Sequence, residues 1–229
     1  MNSPVDLSHS LVVAPICKCP DLDLLAEIQI ADQCDVIELR LDCLKDYLDQ
    51  TASLLTNNRP TIPIIATARH PDEGGCHSLD TAARLELFLR FLEQVDAIDI
   101  ELRSIDEMSE AVNMARSAGK TVILSFHDFE STPSIATIQS KIDQAVDAGA
   151  DACKIAVYLD SLSDLCELTQ VCESESRIKL SMMGMGPLGK LSRLVFAKAG
   201  SALNYGYLKE SNAPGQWAAA ELQRLIREI

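Results

Sequence analysis

Ala152-Cys153-Lys154-Ile155-Ala156-Val157 is apolar at every position but one. Such a run reads as a strand buried on both faces, the habit of a parallel sheet. Lys154 interrupts it, because an unpaired ammonium in an apolar interior costs several kcal/mol. The residue must find a partner or lose its charge, and burial favours the neutral amine. A neutral amine in a pocket is a nucleophile suited to Schiff-base formation with a carbonyl. A lysine salt-bridged in the core or reaching to a strand end is the structural alternative.

Outward from this run, β-branched segments recur at a nearly constant interval, at 11–17, 36–41, 61–68, 97–102, 121–126, 150–157, 177–182 and 202–208. Helical patterns fill the gaps, with apolar residues at i, i+3, i+4 over 21–31, 82–94, 104–118, 135–148 and 162–172. Gly119 and Gly149 have the character of helix C-caps. Strands alternating eightfold with helices in 229 residues predict an α/β fold, a closed (β/α)8 TIM barrel forming a single domain over residues 1–229. An open doubly wound sheet would draw support from Gly184-Met185-Gly186-Pro187-Leu188-Gly189, which satisfies G-x-G-x-x-G. That motif falls in the seventh unit, Pro187 removes a donor, and a glycine loop after strand seven is equally the anion site of a barrel.

Composition narrows the function classes. An apolar fraction of 47% with only 4% aromatics suits an aliphatic core more than a β-sandwich. Thirty-four acidic against 20 basic residues give a net charge of -14, which repels nucleic acid and anionic membrane surfaces. Any anionic substrate then depends on local arginines. Eight cysteines are scattered rather than gathered in a short framework, which predicts reduced thiols and a cytoplasmic home. The N-terminus lacks a basic n-region, and 11–16 is too short for a signal core or a span, so a soluble protein is expected. Cys17-Lys18-Cys19 and His70, Cys76, His77 lack metal-ligand spacing, and no metal site is expected.

Barrel enzymes draw catalytic groups from the C-terminal ends of their strands, and polar residues collect there in this sequence. Strand two ends in Glu38-Leu39-Arg40-Leu41-Asp42 and strand four in Glu101-Leu102-Arg103. An acid and an arginine two apart share a face, so each pair is expected to neutralise itself. Strand three leads to Arg69, strand five to His127, strand six holds Lys154, and strand seven runs through Lys179 and Ser181 toward Arg193. A lysine nucleophile, a histidine base, an acid to orient it and several arginines compose the set needed for Schiff-base chemistry on an anionic carbonyl compound.

At these residues the chain closely resembles type I 3-dehydroquinate dehydratase. The matching stretches, in the family's order, are 36–42, Thr67-Ala68-Arg69 with Glu73-Gly74-Gly75, 98–102, Ser125-Phe126-His127-Asp128-Phe129, Lys154-Ile155-Ala156, Ser181-Met182 through Ser192-Arg193, and Ala213-Pro214-Gly215-Gln216. The resemblance implies Lys154 as the Schiff-base lysine, His127 as the base, Glu101 as the acid supporting it, and Arg193 as the carboxylate-binding arginine. It sets Glu38, Arg40, Arg69 and Gln216 against the substrate's oxygens. Asn212 stands where the family usually has serine and is carried over as a substrate contact in the lid, with Ser211 as its alternative.

The implied reaction is a hydro-lyase step, syn elimination of water from 3-dehydroquinate to give 3-dehydroshikimate through a lysine Schiff base, without cofactor or metal. It is the third step of the shikimate pathway to chorismate and the aromatic amino acids. The implied partner is the small-molecule substrate, with neither nucleic acid nor membrane; a homodimer, or fusion to or association with a shikimate dehydrogenase, is compatible with it. A class I aldolase-type barrel would also use the lysine but leaves Ser125-Phe126-His127-Asp128 unexplained. A non-catalytic carboxylate-binding barrel would need the arginines but not Lys154.

Overall fold

The computed structural model describes residues 5–26, 28–210 and 215–229. Among them are eight parallel strands: β1 (Leu11–Ile16), β2 (Val36–Arg40), β3 (Ile64–Thr67), β4 (Ala97–Glu101), β5 (Thr121–Asp128), β6 (Ala152–Tyr158), β7 (Lys179–Met185) and β8 (Leu203–Tyr205). They pair in the order β7-β6-β5-β4-β3-β2-β1-β8. The two ends of that sheet meet, Ala202 N donating to Leu180 O at 2.7 Å and Ser181 Oγ to Leu203 O at 2.7 Å. A parallel sheet closed this way, with a crossover between successive strands, is the predicted (β/α)8 barrel.

Side-chain alternation fills the barrel in layers. One inward layer is apolar and includes Val13, Val36, Ile65, Ala97, Ile123, Ala152 and Leu203. Two residues further along β2 to β6, on the same face, stand Glu38, Thr67, Asp99, Ser125 and Lys154, all buried. Ser125 pairs with Lys154 and Lys154 with Ser181 in the register of β5, β6 and β7. The charge of Lys154 is therefore confined to the upper half of a barrel whose lower half is hydrocarbon.

The helices pack outside. α2 (Leu48–Asn57), α3 (Thr81–Phe91), α4 (Ser109–Ser117), α5 (Ile135–Asp147), α6 (Leu162–Ser174), α7 (Gly189–Lys198) and α8 (Ala219–Glu228) follow a four-residue α1 (Cys19–Leu22). Asp80, Ser134 and Ser161 cap α3, α5 and α6 through their side chains, Ser161 in a reciprocal box with Asp164. Gly119 and Gly149 take φ of +67° and +68° just past α4 and α5, as expected of C-caps.

Three features depart from the sequence reading. The helix expected over 21–31 is α1 followed by 3-10 segments at Asp23–Ala26 and Ile28–Asp32; at about 2 Å per residue a 3-10 segment covers the return along the barrel in fewer residues than an α-helix does. Gly184 lies inside β7, and a Cβ there would come within 2.2 Å of Leu159 Cδ1, so it serves close packing rather than a nucleotide loop. Cys43 and Cys76 form a disulfide, contrary to the expectation of reduced thiols throughout. The loops after β2 and β3 are neighbours on the barrel and bring the two Cα atoms to 4.9 Å, a proximity that a sequence separation of 33 conceals. Among the described residues no helix is long and apolar enough to cross a membrane.

Candidate active site

Lys154 projects from β6 into the upper barrel and is 4% exposed. Its Nζ lies 2.8 Å from Asp99 Oδ2 on β4, 3.5 Å from Glu38 Oε1 on β2, and 4.0 Å from the centre of the Tyr205 ring on β8. The fold thus meets the buried lysine with charged and aromatic partners and not with an apolar pocket. Arg69 forks onto Asp99 at 3.0 and 2.8 Å and also donates to Glu101 Oε1 at 2.9 Å and Ser125 Oγ at 2.6 Å. Burial pushes the Asp99 carboxyl upward, but Arg69 and Lys154 prevail and hold it well below the usual carboxylate range. Glu38 accepts from Thr67 Oγ1 at 2.8 Å and stands 4.0 Å from Arg69.

Glu101 does not support His127. Its oxygens are taken by Arg69, by Arg84 and by the His70 N–H at 3.0 Å. In register it faces Ser125, two residues short of the histidine. The acid on the imidazole is Glu73, whose Oε2 lies 2.9 Å from His127 Nδ1 and 3.1 Å from the His127 amide N. A 3-10 turn, Pro71–Glu73, brings it there, closed by Gly74 at φ +84°. Gly75 completes the turn against Arg69: a Cβ on it would stand 2.4 Å from the Arg69 carbonyl oxygen. The signal for this acid was the Glu73-Gly74-Gly75 segment, whose two glycines mark a turn folding back on the strand end.

Burial, with the charge on Glu101 behind it, raises the Glu73 carboxyl to about 7. Burial and the positive charges of Arg69 and Lys154 hold the His127 imidazole well below its ordinary value, so it is a neutral base near pH 7. Nδ1 is engaged by Glu73, which leaves Nε2 for proton transfer. The Phe129 ring stacks on that of His127 at 6.1 Å and packs against Gly74.

Of the expected self-neutralising pairs, the one at the end of strand two forms between Arg40 and Asp42, and the one at the end of strand four does not form. Arg40 binds Asp42 at 3.0 and 2.8 Å and Gly74 O at 2.9 Å instead of Glu38. Arg103 reaches Asp72 at 2.9 Å on the exposed rim instead of Glu101. Glu101 is already held by Arg69 and Arg84, which leaves Arg103 to pair with Asp72.

Arg193, on α7, is buried among carbonyls, with Nε on Tyr205 O at 2.9 Å and Nη1 on Gly184 O, Gly189 O and Gly215 O at 3.0, 2.8 and 3.3 Å. Burial lowers it to about 10, with no carboxylate opposing the shift. A buried cation held only by neutral oxygens is an anion site. Glu38, Arg40, Arg69, Glu73, His127, Lys154, Arg193, Tyr205 and Gln216 all line one cavity of about 230 Å³. Asn212 and Ser211 lie outside the described residues. A larger surface depression of about 840 Å³, between Leu92 and Lys120, is lined by neither histidine nor arginine. The structure therefore brings every described residue predicted for the site to one cavity except Glu101, which underlies it through Arg69. It adds Asp99, Glu73 and Tyr205.

The family described as Type I 3-dehydroquinase matches residues 12–229. A 3-dehydroquinate dehydratase of Shouchella clausii (strain KSM-K16) is 35% identical, over 96% of this chain and 91% of that protein. A crystal structure of 3-dehydroquinate dehydratase from Geobacillus kaustophilus HTA426 superposes with a TM-score of 0.86 at 30% identity, covering 96% of this chain and 91% of the other. A type I 3-dehydroquinate dehydratase from Clostridium difficile, solved with covalently modified comenic acid, gives a TM-score of 0.85 at 27% identity, covering 100% and 98%.

Proposed function

Because the chain belongs to the type I 3-dehydroquinase family, we propose a residue-level course for the reaction that membership brings with it, the hydro-lyase conversion of 3-dehydroquinate to 3-dehydroshikimate in the shikimate pathway. Lys154 attacks the C3 carbonyl. His127, through Nε2, moves protons during carbinolamine formation and dehydration to the imine. The imine nitrogen, once protonated, draws electrons from the adjacent carbon, and the same imidazole removes the C2 proton. It then delivers a proton to the departing C1 hydroxyl. One base working from one side accounts for syn elimination, and hydrolysis of the product imine frees Lys154.

Asp99 and Glu38 face Lys154 Nζ at 2.8 and 3.5 Å, and the iminium keeps one positive charge on that atom. The pairing thus survives from ammonium to iminium and favours the charged form on which elimination depends. Attack first requires the amine to lose a proton, and the Glu73–His127 pair in the same cavity is suited to receive it. Arg193 takes the substrate carboxylate. Gln216, with Asn212 or Ser211, closes the site to water. Cytoplasmic location belongs to the proposal, as does a homodimer or an association with shikimate dehydrogenase, which sizing and co-purification would read.

The observation that carries this reading is a lysine and a histidine–carboxylate pair facing one 230 Å³ cavity that also holds Arg193. Borohydride added during turnover of 3-dehydroquinate is expected to leave a mass adduct on Lys154, lost in Lys154→Ala together with activity. An adduct on Lys179, or turnover by the Ala variant, would refute the assignment.

A further inference from the structure

The Cys43–Cys76 disulfide has no part in that chemistry, yet it lies beside it. Cys43 follows Asp42, whose carboxylate holds Arg40 and accepts the Cys76 N–H at 2.8 Å. Arg40 in turn donates to Gly74 O at 2.9 Å. The turn over 70–77 is therefore fastened to the end of β2 by two hydrogen bonds and one covalent bond. Glu73 sits in the middle of that turn with its carboxylate on His127. Both cysteines are half-buried at the rim, within reach of a thiolate in solution.

We propose that Cys43 and Cys76 form a thiol–disulfide exchange site, acted on by dithiols, whose closed form fixes the Glu73 turn against His127. The catalytic consequence rests on the roles given above to Glu73 and His127; the exchange chemistry does not.

Local charges set the order of events. Cys76 Sγ stands 3.9 Å from Arg40 Nη2, and Cys43 Sγ 3.6 Å from Asp42 Oδ2. A guanidinium favours a thiolate and a carboxylate opposes one, so Cys76 is the better leaving group. A dithiol's thiolate attacks Cys43 Sγ, a new S–S bond forms there, and the electron pair of the old bond departs on Cys76, which takes a proton from solvent. The second thiol of the reductant then displaces Cys43, and the reductant leaves as its own disulfide. Two electrons have passed to the protein; a disulfide oxidant such as oxidised glutathione reverses the sequence. The open form keeps both hydrogen bonds of the turn, so opening widens its excursions without releasing it.

The test uses the full chain equilibrated with oxidised glutathione or with dithiothreitol. The oxidised sample should give a cross-linked Cys43–Cys76 peptide in a non-reducing digest, while exposed Cys166 stays outside it. Reduction should abolish that peptide, speed amide exchange over 70–77 and lower kcat/KM by roughly fivefold, the low end of site-to-site coupling. Cys43→Ser should behave as the reduced protein under both conditions. Failure of the pair to cross-link, or exchange over 70–77 unmoved by reduction, would sink the proposal. Faster exchange with unaltered kcat/KM would refute the tie to Glu73. A protein inactive in both states would refute the dehydratase mechanism while the exchange measurement still decides this one.

Discussion

Glu73 and Glu101 are both buried acids on the same rim, and what separates them is what their oxygens touch. Glu101 is the carboxylate partner of Arg84 and shares Arg69 with Asp99, so Glu101→Gln strands one buried cation and is expected to cost about 3–5 kcal/mol of stability, read as a lowered Tm. Glu73 touches His127, and Glu73→Gln should not lower Tm while lowering kcat by about 10–100-fold, part of the 10²–10⁴ typical of general acid–base catalysis. The pH profile separates them further. With a folded value of about 7 against an ordinary 4.5, Glu73 becomes a carboxylate able to accept the Nδ1 proton only as pH rises through 7. Wild-type kcat should therefore show an acid limb near pH 7 that Glu73→Gln lacks. The same raised pKa means that the folded protein binds more protons than the unfolded chain between pH 4.5 and 7, so this group lowers stability as pH rises through that window. Glu73→Gln should remove that slope; an unchanged slope and limb would exclude Glu73 as the titrating group.

At the scale of elements, the strands were legible because a buried parallel strand announces itself by apolar runs, and the period of two then dictated that Lys154 share a face with Ala152 and Ala156. The place of Asp99 in the inner charged layer was not singled out, although it shares a face with Glu101 two residues on along β4. The connections were less legible. Apolar spacing over 21–31 fits a 3-10 return as well as an α-helix, and nothing in the spacing of Cys43 and Cys76 reveals that neighbouring loops join them. The Glu73 turn is the costliest omission, because its contact with β5 depends on two glycines rather than on periodicity. That dependence is testable: Gly75→Ala forces a Cβ toward the Arg69 carbonyl oxygen and must displace the turn. Its stability cost should be about 1–3 kcal/mol, as for other overpacked sites, with kcat falling toward the Glu73→Gln level. Wild-type kcat in Gly75→Ala would show that the turn need not be held so closely.

Across the whole molecule, the inner network balances itself. Arg69, Arg84 and Lys154 stand against Glu38, Asp99 and Glu101, three charges of each sign. Arg193 lies outside that balance, with carbonyl partners, and is the cation left to answer a substrate carboxylate. Arg193→Ala is expected to raise KM by the equivalent of ~1.5–3 kcal/mol, the range for a hydrogen bond to a charged group. Arg193→Lys should recover only part of that, since an ammonium cannot hold the carbonyls that Nε and Nη1 engage and still present a donor where Nη2 stands. The surface pulls the other way: a net charge of -14 repels the anion that Arg193 attracts. Salt distinguishes the two fields, because it screens exposed charges beyond about 10 Å at 0.1 M and reaches a buried guanidinium far less. Raising ionic strength from about 0.01 to 0.15 M should therefore increase wild-type kcat/KM, with kcat unchanged. Arg193→Ala should show the same upward slope at a lower level. A kcat/KM that falls with salt would mean that attraction at the cavity mouth outweighs the acidic surface.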